Sequence, residues 1–319
     1  MTREIDRAVD LLRAGGLVAF PTETVYGLGA NASDPSAVRR IFAAKGRPAD
    51  HPLIVHLGSH QQIEHWAREI PPAAYTLGQH FWPGPLTLIL KRATHVLDEV
   101  TGGQDSVGLR IPSHPVAQAL LRTFEGGIAG PSANRFGRIS PTTAAHVRAE
   151  MGDRVDLILE GGACEVGIES TIVDLTGSQP VLLRPGHISV PRIESLLGIP
   201  VGAPGTDSPR ASGTLAAHYA PSKPLYLASS GELRSIVERE LMRGKVGVLA
   251  FQDDPVLPRV IWRQTPLSND AYAHLLYAAL RELDASDAHS IVVETPPAMP
   301  EWLGVRDRLM RSAVGSVRE

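Results

Sequence analysis

Residues 20–30 read FPTETVYGLGA, and residues 45–56 read KGRPADHPLIVH. Hydrophobic packing alone does not explain either block. Each puts polar and cationic groups at the mouth of a buried strand. Four apolar residues, Leu17 to Phe20, enter the first block and stop at Pro21. Thr22, Glu23, Thr24 and Tyr26 then crowd a turn that is expected to need Gly27 and Gly29. Between the blocks a helix reads from Ser36 to Lys45, with Val38, Ile41 and Phe42 at helical spacing. Ser33 or Asp34 caps it, Pro35 suits its first turn and Gly46 its end. Lys45, Arg47 and His51 follow in a proline-containing loop before the apolar strand Leu53 to Val55. Taken singly, Lys45 is a last-turn lysine facing the helix dipole, and Thr22 and Thr24 are turn and strand formers. Taken together, cations on a short loop between buried elements suit an anionic small molecule.

The chain has 319 residues, more than one typical core, so two domains are expected. Hydrophobic residues make up 43%, an ordinary share for a globular protein. A net charge of −3 argues against nonspecific wrapping of nucleic acid, though not against a local basic patch. The single cysteine, Cys164, rules out an intramolecular disulfide, lacks an obvious activating partner and fits a cytoplasmic enzyme. No run approaches the roughly 18 apolar residues that cross a membrane, and the start of the chain is a charged amphipathic stretch.

Outward from the two blocks, helix 4–14 carries Ile5, Ala8, Val9 and Leu12 on one face. Strands are expected at 17–20, 53–57, 86–91, 107–111, 127–130, 156–160, 171–175 and 180–184. Helices are expected at 36–45, 60–69, 72–80, 114–123, 142–150 and 191–197. Short strands with unequal crossovers imply an α/β fold with a twisted mixed sheet over residues 1–200. Residues 201–223 are rich in Pro, Gly, Ser and Ala and read as a linker, long enough to have a job of its own. Residues 224–319 follow as a second, smaller, Rossmann-like parallel α/β domain, with strands at 224–228, 246–251, 259–263 and 290–294 and helices at 231–243, 269–284 and 302–313. It lacks the glycine fingerprint of a dinucleotide site, so an accessory role is expected.

Three further constellations bear chemistry. GPSANRFGRISPTT, Gly130 to Thr143, supplies Ser132, Asn134 and Ser140 as short polar groups, and Gly130 and Gly137 let backbone approach a ligand. The helix beginning near Thr142 offers its N-terminus to phosphate; an ordinary Ser/Asn turn fits the same letters. SVGLRIP, 106–112, sets Arg110 among apolar residues, where it is either solvated on the far face or forked onto a carboxylate. Ser170 stands at the entry to one strand and Arg184 at the exit from another. No HExxH, CxxC or paired His/carboxylate spacing appears, so no resident metal is expected. Ser170 sits in no GxSxG elbow, which disfavours a serine hydrolase.

FPTETVYGLGA, KGRP..HPLIVH, PGPLTLIL (83–90), VGLRIP (107–112), GPSAN (130–134), GIESTIVD (167–174) and LLRPG (182–186) occur in the order found in the threonylcarbamoyl-AMP synthase family. The sequence resembles that family from about residue 8 to 200, whose core is the YrdC-like domain. HYAP at 218–221 and the smaller α/β segment resemble its longer form. The resemblance implies a nucleotidyltransferase that joins L-threonine, bicarbonate and ATP into threonylcarbamoyl-AMP and pyrophosphate. Mg²⁺ would be carried with ATP. The product would feed the tRNA threonylcarbamoyl transferase machinery at adenosine 37, with at most a weak direct tRNA contact and no membrane. It implies threonine binding by Thr24, His56, Arg110, Gly130 and Ser170. It implies ATP binding by Arg47, His51, Ser106, Ser132, Ser140 and Arg184, with Asn134 in the same loop. Lys45, Arg47 and Arg184 would offset phosphate charge during the reaction.

Two rival readings use the same residues. One is a carbamoyl-adenylate-forming enzyme, whose added acylphosphatase and zinc-finger modules this chain lacks. The other is an RNA-binding or ribosome-assembly module. For the linker, residues 205–221 are expected to fold over the nucleotide as a lid, with His218 or Tyr219 near the phosphates. Thr214-Leu215-Ala216-Ala217 stands where some relatives carry lysine, tyrosine or arginine, so closure would rest on backbone, His218 and Tyr219.

Overall fold

The computed structural model describes residues 2–214 and 218–314. It divides into two compact units, Met1–Phe136 with Pro141–Thr214, and Gly137–Ser140 with Leu215–Glu319. In the first unit the strands are β1 (Val18–Phe20), β2 (Gly27–Asn31), β3 (Ile54–His56), β4 (Leu86–Lys91), β5 (Ser106–Arg110), β6 (Ile128–Ala129), β7 (Leu157–Ile158), β8 (Thr171–Asp174) and β9 (Val181–Arg184). Among the described residues they form one mixed sheet in the order β7-β1-β2-β6-β3-β5-β4-β8-β9. Three pairs are parallel (β1–β7, β3–β5, β4–β8) and the others antiparallel. A twisted mixed sheet is what short strands and unequal crossovers imply.

Helix Thr2–Arg13 lays Ile5, Val9 and Leu12 against Leu120 and Leu121 of helix Pro115–Phe124, over Val18 and Phe20. The larger core lies among Tyr26, Leu28, Val38, Ile41, Val55, Leu88 and Leu109. Helix Pro35–Lys45 begins at Asp34, whose carboxylate accepts from Ser36 N and Ala37 N. It ends at Gly46 in the left-handed region, φ 63°.

Two local expectations change. Residues 27–31 form strand β2 instead of a turn. Gly27 and Gly29 are needed there for space: a Cβ on Gly27 would stand 3.1 Å from the Phe20 ring, and one on Gly29 2.9 Å from both Phe20 and Ile128. The helix expected over 60–69 is a 3-10 turn, His60–Gln62, followed by Ile63–Trp66. It stops because Ala67 turns extended and pairs with Arg92, a contact distant in sequence.

The second unit holds β10 (Leu225–Ala228), β11 (Val246–Ala250), β12 (Val260–Gln264) and β13 (Ser290–Glu294). They form a parallel sheet in the order β10-β13-β11-β12. Helices Leu233–Leu241, Asn269–Ala285 and Leu303–Ser312 accompany it. No helix among the described residues is long and apolar enough to cross a membrane.

Candidate functional site

The two opening blocks meet at one end of the first unit's sheet. His56 closes β3 and lies in register with Arg110, the last residue of its parallel neighbour β5. Antiparallel β4 starts beside Arg110, and parallel β8 starts beside β4. Gly84 and Pro85 tie the three together: Arg110 Nε donates to Gly84 O at 3.3 Å, and Thr171 N donates to Pro85 O at 3.0 Å. Ser170 therefore reaches the same edge as Arg110, although sixty residues separate them in sequence. On the other side the Thr22–Tyr26 turn meets the Ser132 loop. Gly27 bridges Ser132, and Ala133 N donates to Tyr26 O at 2.8 Å.

Arg110 is not the solvated strand arginine that alternation permits. Every residue of β5 is buried. Its Nη2 donates to Glu23 Oε1 at 2.6 Å, in an ion pair whose side chains are 5% and 4% exposed. Glu23 Oε2 accepts Ser113 N at 3.0 Å. Nη1 of Arg110 makes no hydrogen bond among the described residues. The sequence reading treated Glu23 only as turn crowding. Its signal was a lone carboxylate in a turn of threonines, facing an unassigned strand arginine.

Thr24 Oγ1 lies 2.9 Å from Thr22 Oγ1, and Thr22 Oγ1 in turn donates to Val25 O at 2.6 Å, so the turn is rigid. His56 is buried, with its ring edge-on to Phe20 at 5.5 Å between centroids. Its Nδ1 has no hydrogen-bond partner among the described residues. Gly130 opens the space in front of that atom: a Cβ there would come within 2.9 Å of His56 Nδ1. Burial, and next the charge of Arg110, pull the imidazole down to about 3 from its ordinary 6.5. His56 is thus neutral at physiological pH.

That shift fixes a sign. On unfolding, the neutral imidazole regains its ordinary affinity for protons. Between pH 6.5 and about 3 the unfolded chain therefore binds more protons, and stability falls as pH drops through that window. The slope from this one group approaches roughly 1.4 kcal/mol per pH unit. Denaturant melts at neutral pH and across the acid window should show His56→Gln losing less stability on acidification than the parent chain. Identical pH slopes would refute the assignment.

The cations sort differently from the sequence reading. Lys45, expected beside phosphate, is buried, and its ammonium donates to the carbonyls of Ser132 and Asn134. Burial, then Arg47, lowers its pKa well below the usual lysine value. Arg47 Nη2 donates to Pro52 O at 3.0 Å and to Ser212 Oγ at 3.3 Å. His51 packs edge-on to Phe136 and is lowered by burial and by Arg47. Arg184 donates from Nε and Nη2 to Ser170 O, from Nη2 to Ser170 Oγ, and from Nη1 to Ser212 O, at 2.8 to 3.0 Å. Ser170 Oγ also lies 2.7 Å from Thr87 Oγ1. Asn134 Nδ2 donates to Arg135 O at 2.8 Å, which braces the loop that Lys45 holds.

Residues 210–212 form a strap that composition alone did not resolve. Ala211 packs on the apolar patch of Ile54, Ile89, Ile172 and Leu183. Gly108 makes room between Ile54 and Ile89, since a Cβ there would meet Ile89 at 3.1 Å. Arg210 N donates to Gln104 Oε1 at 2.6 Å, and Ser212 Oγ donates to Pro52 O at 2.8 Å. A cavity of about 10 Å³ remains under the strap, with Ser106 in its lining.

Ser140, His218 and Tyr219 belong to the second unit. Arg281 donates to the carbonyls of Ile139 and Ser140. Tyr219 is a core residue, stacked with Tyr277 and beneath the guanidinium of Arg308. Its burial there comes from a packing surface that the letters HYAP do not reveal. Leu215, Ala216 and Ala217, singled out in the sequence, lie outside the described residues.

Cys164 is buried, and burial pushes its thiol up to about 12, so it stays protonated. Among the described residues no group of three or more His, Cys, Asp or Glu is placed to hold a metal ion.

A family profile described as "Telomere recombination" matches residues 10–186, and one described as "Threonylcarbamoyl-AMP synthase, C-terminal domain" matches 188–314. The threonylcarbamoyl-AMP synthase of Pyrococcus abyssi (strain GE5 / Orsay) is 40% identical over 96% of this chain and 93% of its own length. That of Bacillus subtilis (strain 168) is 39% identical over 98% and 94%. The crystal structure of P. abyssi Sua5 complexed with L-threonine superposes with a TM-score of 0.91 at 39% identity, covering 98% of this chain and 95% of that one. The motifs, the two matched segments and the full-length likeness agree: the chain belongs to the threonylcarbamoyl-AMP synthase family.

Proposed function

We propose that this protein forms L-threonylcarbamoyl-AMP and pyrophosphate from L-threonine, bicarbonate and ATP, for N6-threonylcarbamoyladenosine at position 37 of tRNA. The observation that carries this reading is the pairing of Arg110 with His56 at the ends of two neighbouring central strands. One Nη of the arginine is bound by Glu23, and among the described residues the other makes no bond and the neutral His56 has no partner at Nδ1, beside Gly130. A carboxylate fits the open side of the guanidinium, and a hydroxyl fits the neutral imidazole. Thr24, Gly130 and Ser170 complete the threonine pocket in this reading.

The threonine amine attacks the carbon of CO₂, one C=O π bond opens and the nitrogen gives up a proton, which leaves a carbamate; from bicarbonate the same carbamate forms with loss of water. A carbamate oxygen then attacks the α-phosphorus of ATP, the bond to the β-phosphate oxygen breaks, and pyrophosphate leaves. No covalent enzyme nucleophile takes part. The chain contributes orientation and charge neutralisation. Arg47 and Arg184 face the phosphates once the strap lifts, with His51, Ser106 and Ser132 around the nucleotide. Lys45 acts as a positioning residue that holds the Ser132–Asn134 loop. Mg²⁺ enters with ATP as part of that substrate. The strap at 210–212 serves as the lid, because it binds the same two arginines that the phosphates would engage. The product then passes to a tRNA threonylcarbamoyl transferase.

Threonine-dependent release of pyrophosphate from ATP tests the reading. Release that does not depend on threonine would sink it. Within that assay, serine should be a partial substrate, since one methyl contact is worth only about 1–3 kcal/mol. Valine should be rejected more strongly, because it leaves the hydroxyl's buried partners unpaired. Comparable turnover of valine and threonine would overturn the pocket assignment.

A further inference from the structure

The second unit contains a cavity of about 260 Å³ that the reaction does not use. It lies where the segment after β10 meets the segment after β11. Leu233 opens the helix that follows β10, and Gln252, Asp253 and Leu257 belong to the loop that follows β11. The carboxyl ends of parallel strands are where open α/β sheets bind ligands. The volume is close to the roughly 300 Å³ at the lower end of small-molecule pockets.

The lining divides into two kinds. Leu233, Val237, Leu257 and Trp262 make an apolar interior with one aromatic wall. Arg234, Gln252 and Asp253 add one positive, one neutral and one negative polar group. The charges are only partly used. Arg234 Nε donates to Glu238 Oε1 at 2.8 Å, and its two Nη atoms make no bond among the described residues. Asp253 Oδ1 accepts from Gln264 Nε2 at 2.8 Å, and Oδ2 accepts none among the described residues. Gln252 is held by Ser230 and Glu294, and its carbonyl accepts the Trp262 indole N–H at 3.1 Å, which locks the aromatic wall. The loop over the cavity is strained. Val256, β-branched and 85% exposed, has φ 55°, and Arg259 has φ 65°.

We propose that this cavity is a second, non-catalytic site for a free hydrophobic α-amino acid. The side chain enters between Val237, Leu257 and Trp262. The α-carboxylate pairs with Arg234 and the α-ammonium with Asp253. Groups of both signs beside an apolar chamber of this size match a small zwitterion better than a phosphate, which Asp253 would repel. The site is independent of the reaction proposed above.

Calorimetry on the full chain with L-phenylalanine and L-leucine tests it, alongside the quenching or shift of tryptophan fluorescence. Saturable binding is expected for at least one of the two. Arg234→Ala and Asp253→Asn, both surface changes, should each weaken it roughly tenfold or more. Phenethylamine and 3-phenylpropionate, each lacking one charge, should bind as weakly as those variants allow. Val237→Phe should fill the chamber and abolish binding if the variant melts normally. No saturable binding at millimolar amino acid overturns the proposal. So does binding unchanged in both charge variants, which would place it elsewhere in the chain, and so does binding of adenosine in place of the amino acids.

Discussion

Arg110→Ala should reduce the use of threonine by roughly 10- to 150-fold while leaving ATP affinity nearly unchanged, the range set by losing a charge-assisted bond to the substrate carboxylate. The same change strands Glu23 as an unpaired buried carboxylate. Breaking a buried pair on one side costs about 3–5 kcal/mol, so the variant should also melt early. The two effects separate in a double variant. Glu23→Leu with Arg110→Met replaces the pair by apolar groups, which is often neutral for stability. That protein should recover most of its melting temperature and none of its threonine use. Arg110→Lys keeps the charge and loses the fork, so it should restore little. Saturation curves for each substrate, with melts beside them, give the answer. Equal loss for threonine and ATP, or normal threonine use by the folded double variant, would remove Arg110 from the pocket.

The second large effect is expected at Arg184. Its guanidinium holds Ser170 on one side and the strap at Ser212 on the other. In Arg184→Ala the strap loses one of its two arginine anchors, and in the proposed reaction the phosphates lose a cation. Product formation should fall roughly 10- to 150-fold or more. Cleavage within 205–214 by a dilute protease should accelerate, because the bond from Arg184 to the Ser212 carbonyl is lost. In the parent chain, ATP with threonine should change the cleavage rate of the same segment. A strap cut equally fast in the parent with and without substrates is not a lid. Unchanged cleavage in Arg184→Ala would show that Arg47, Gln104 and Pro52 hold it unaided.

Much of this protein was legible in its letters. Asp34, Pro35 and Gly46 marked both ends of a helix, because caps and left-handed turns act on the nearest few residues. The parallel second unit was legible for a similar reason. Its apolar strand runs alternate with amphipathic helices, and that pattern is local. The motifs of residues 20–56, 107–112, 130–134 and 182–186 named the family. What the sequence alone could not decide was who faces whom. Period-two alternation allowed Arg110 to face solvent, yet β5 lies mid-sheet and buries both faces, so the arginine had to find Glu23 across 87 residues. Lys45 looked like a helix-end cation, and only the path of the Ser132–Asn134 loop turned its ammonium inward onto two carbonyls. GLGA reads as a turn because glycine has weak strand preference; antiparallel pairing with β1 and β6 makes it a strand, and the ring of Phe20 leaves no room for a side chain at Gly27. Composition marked the linker as long enough for a lid but not what would hold it, because its bonds to Arg47 and Arg184 come from strands and loops distant in the chain. Local physical chemistry is written in neighbouring residues, and the site is made by pairings that only sheet register and loop path bring together.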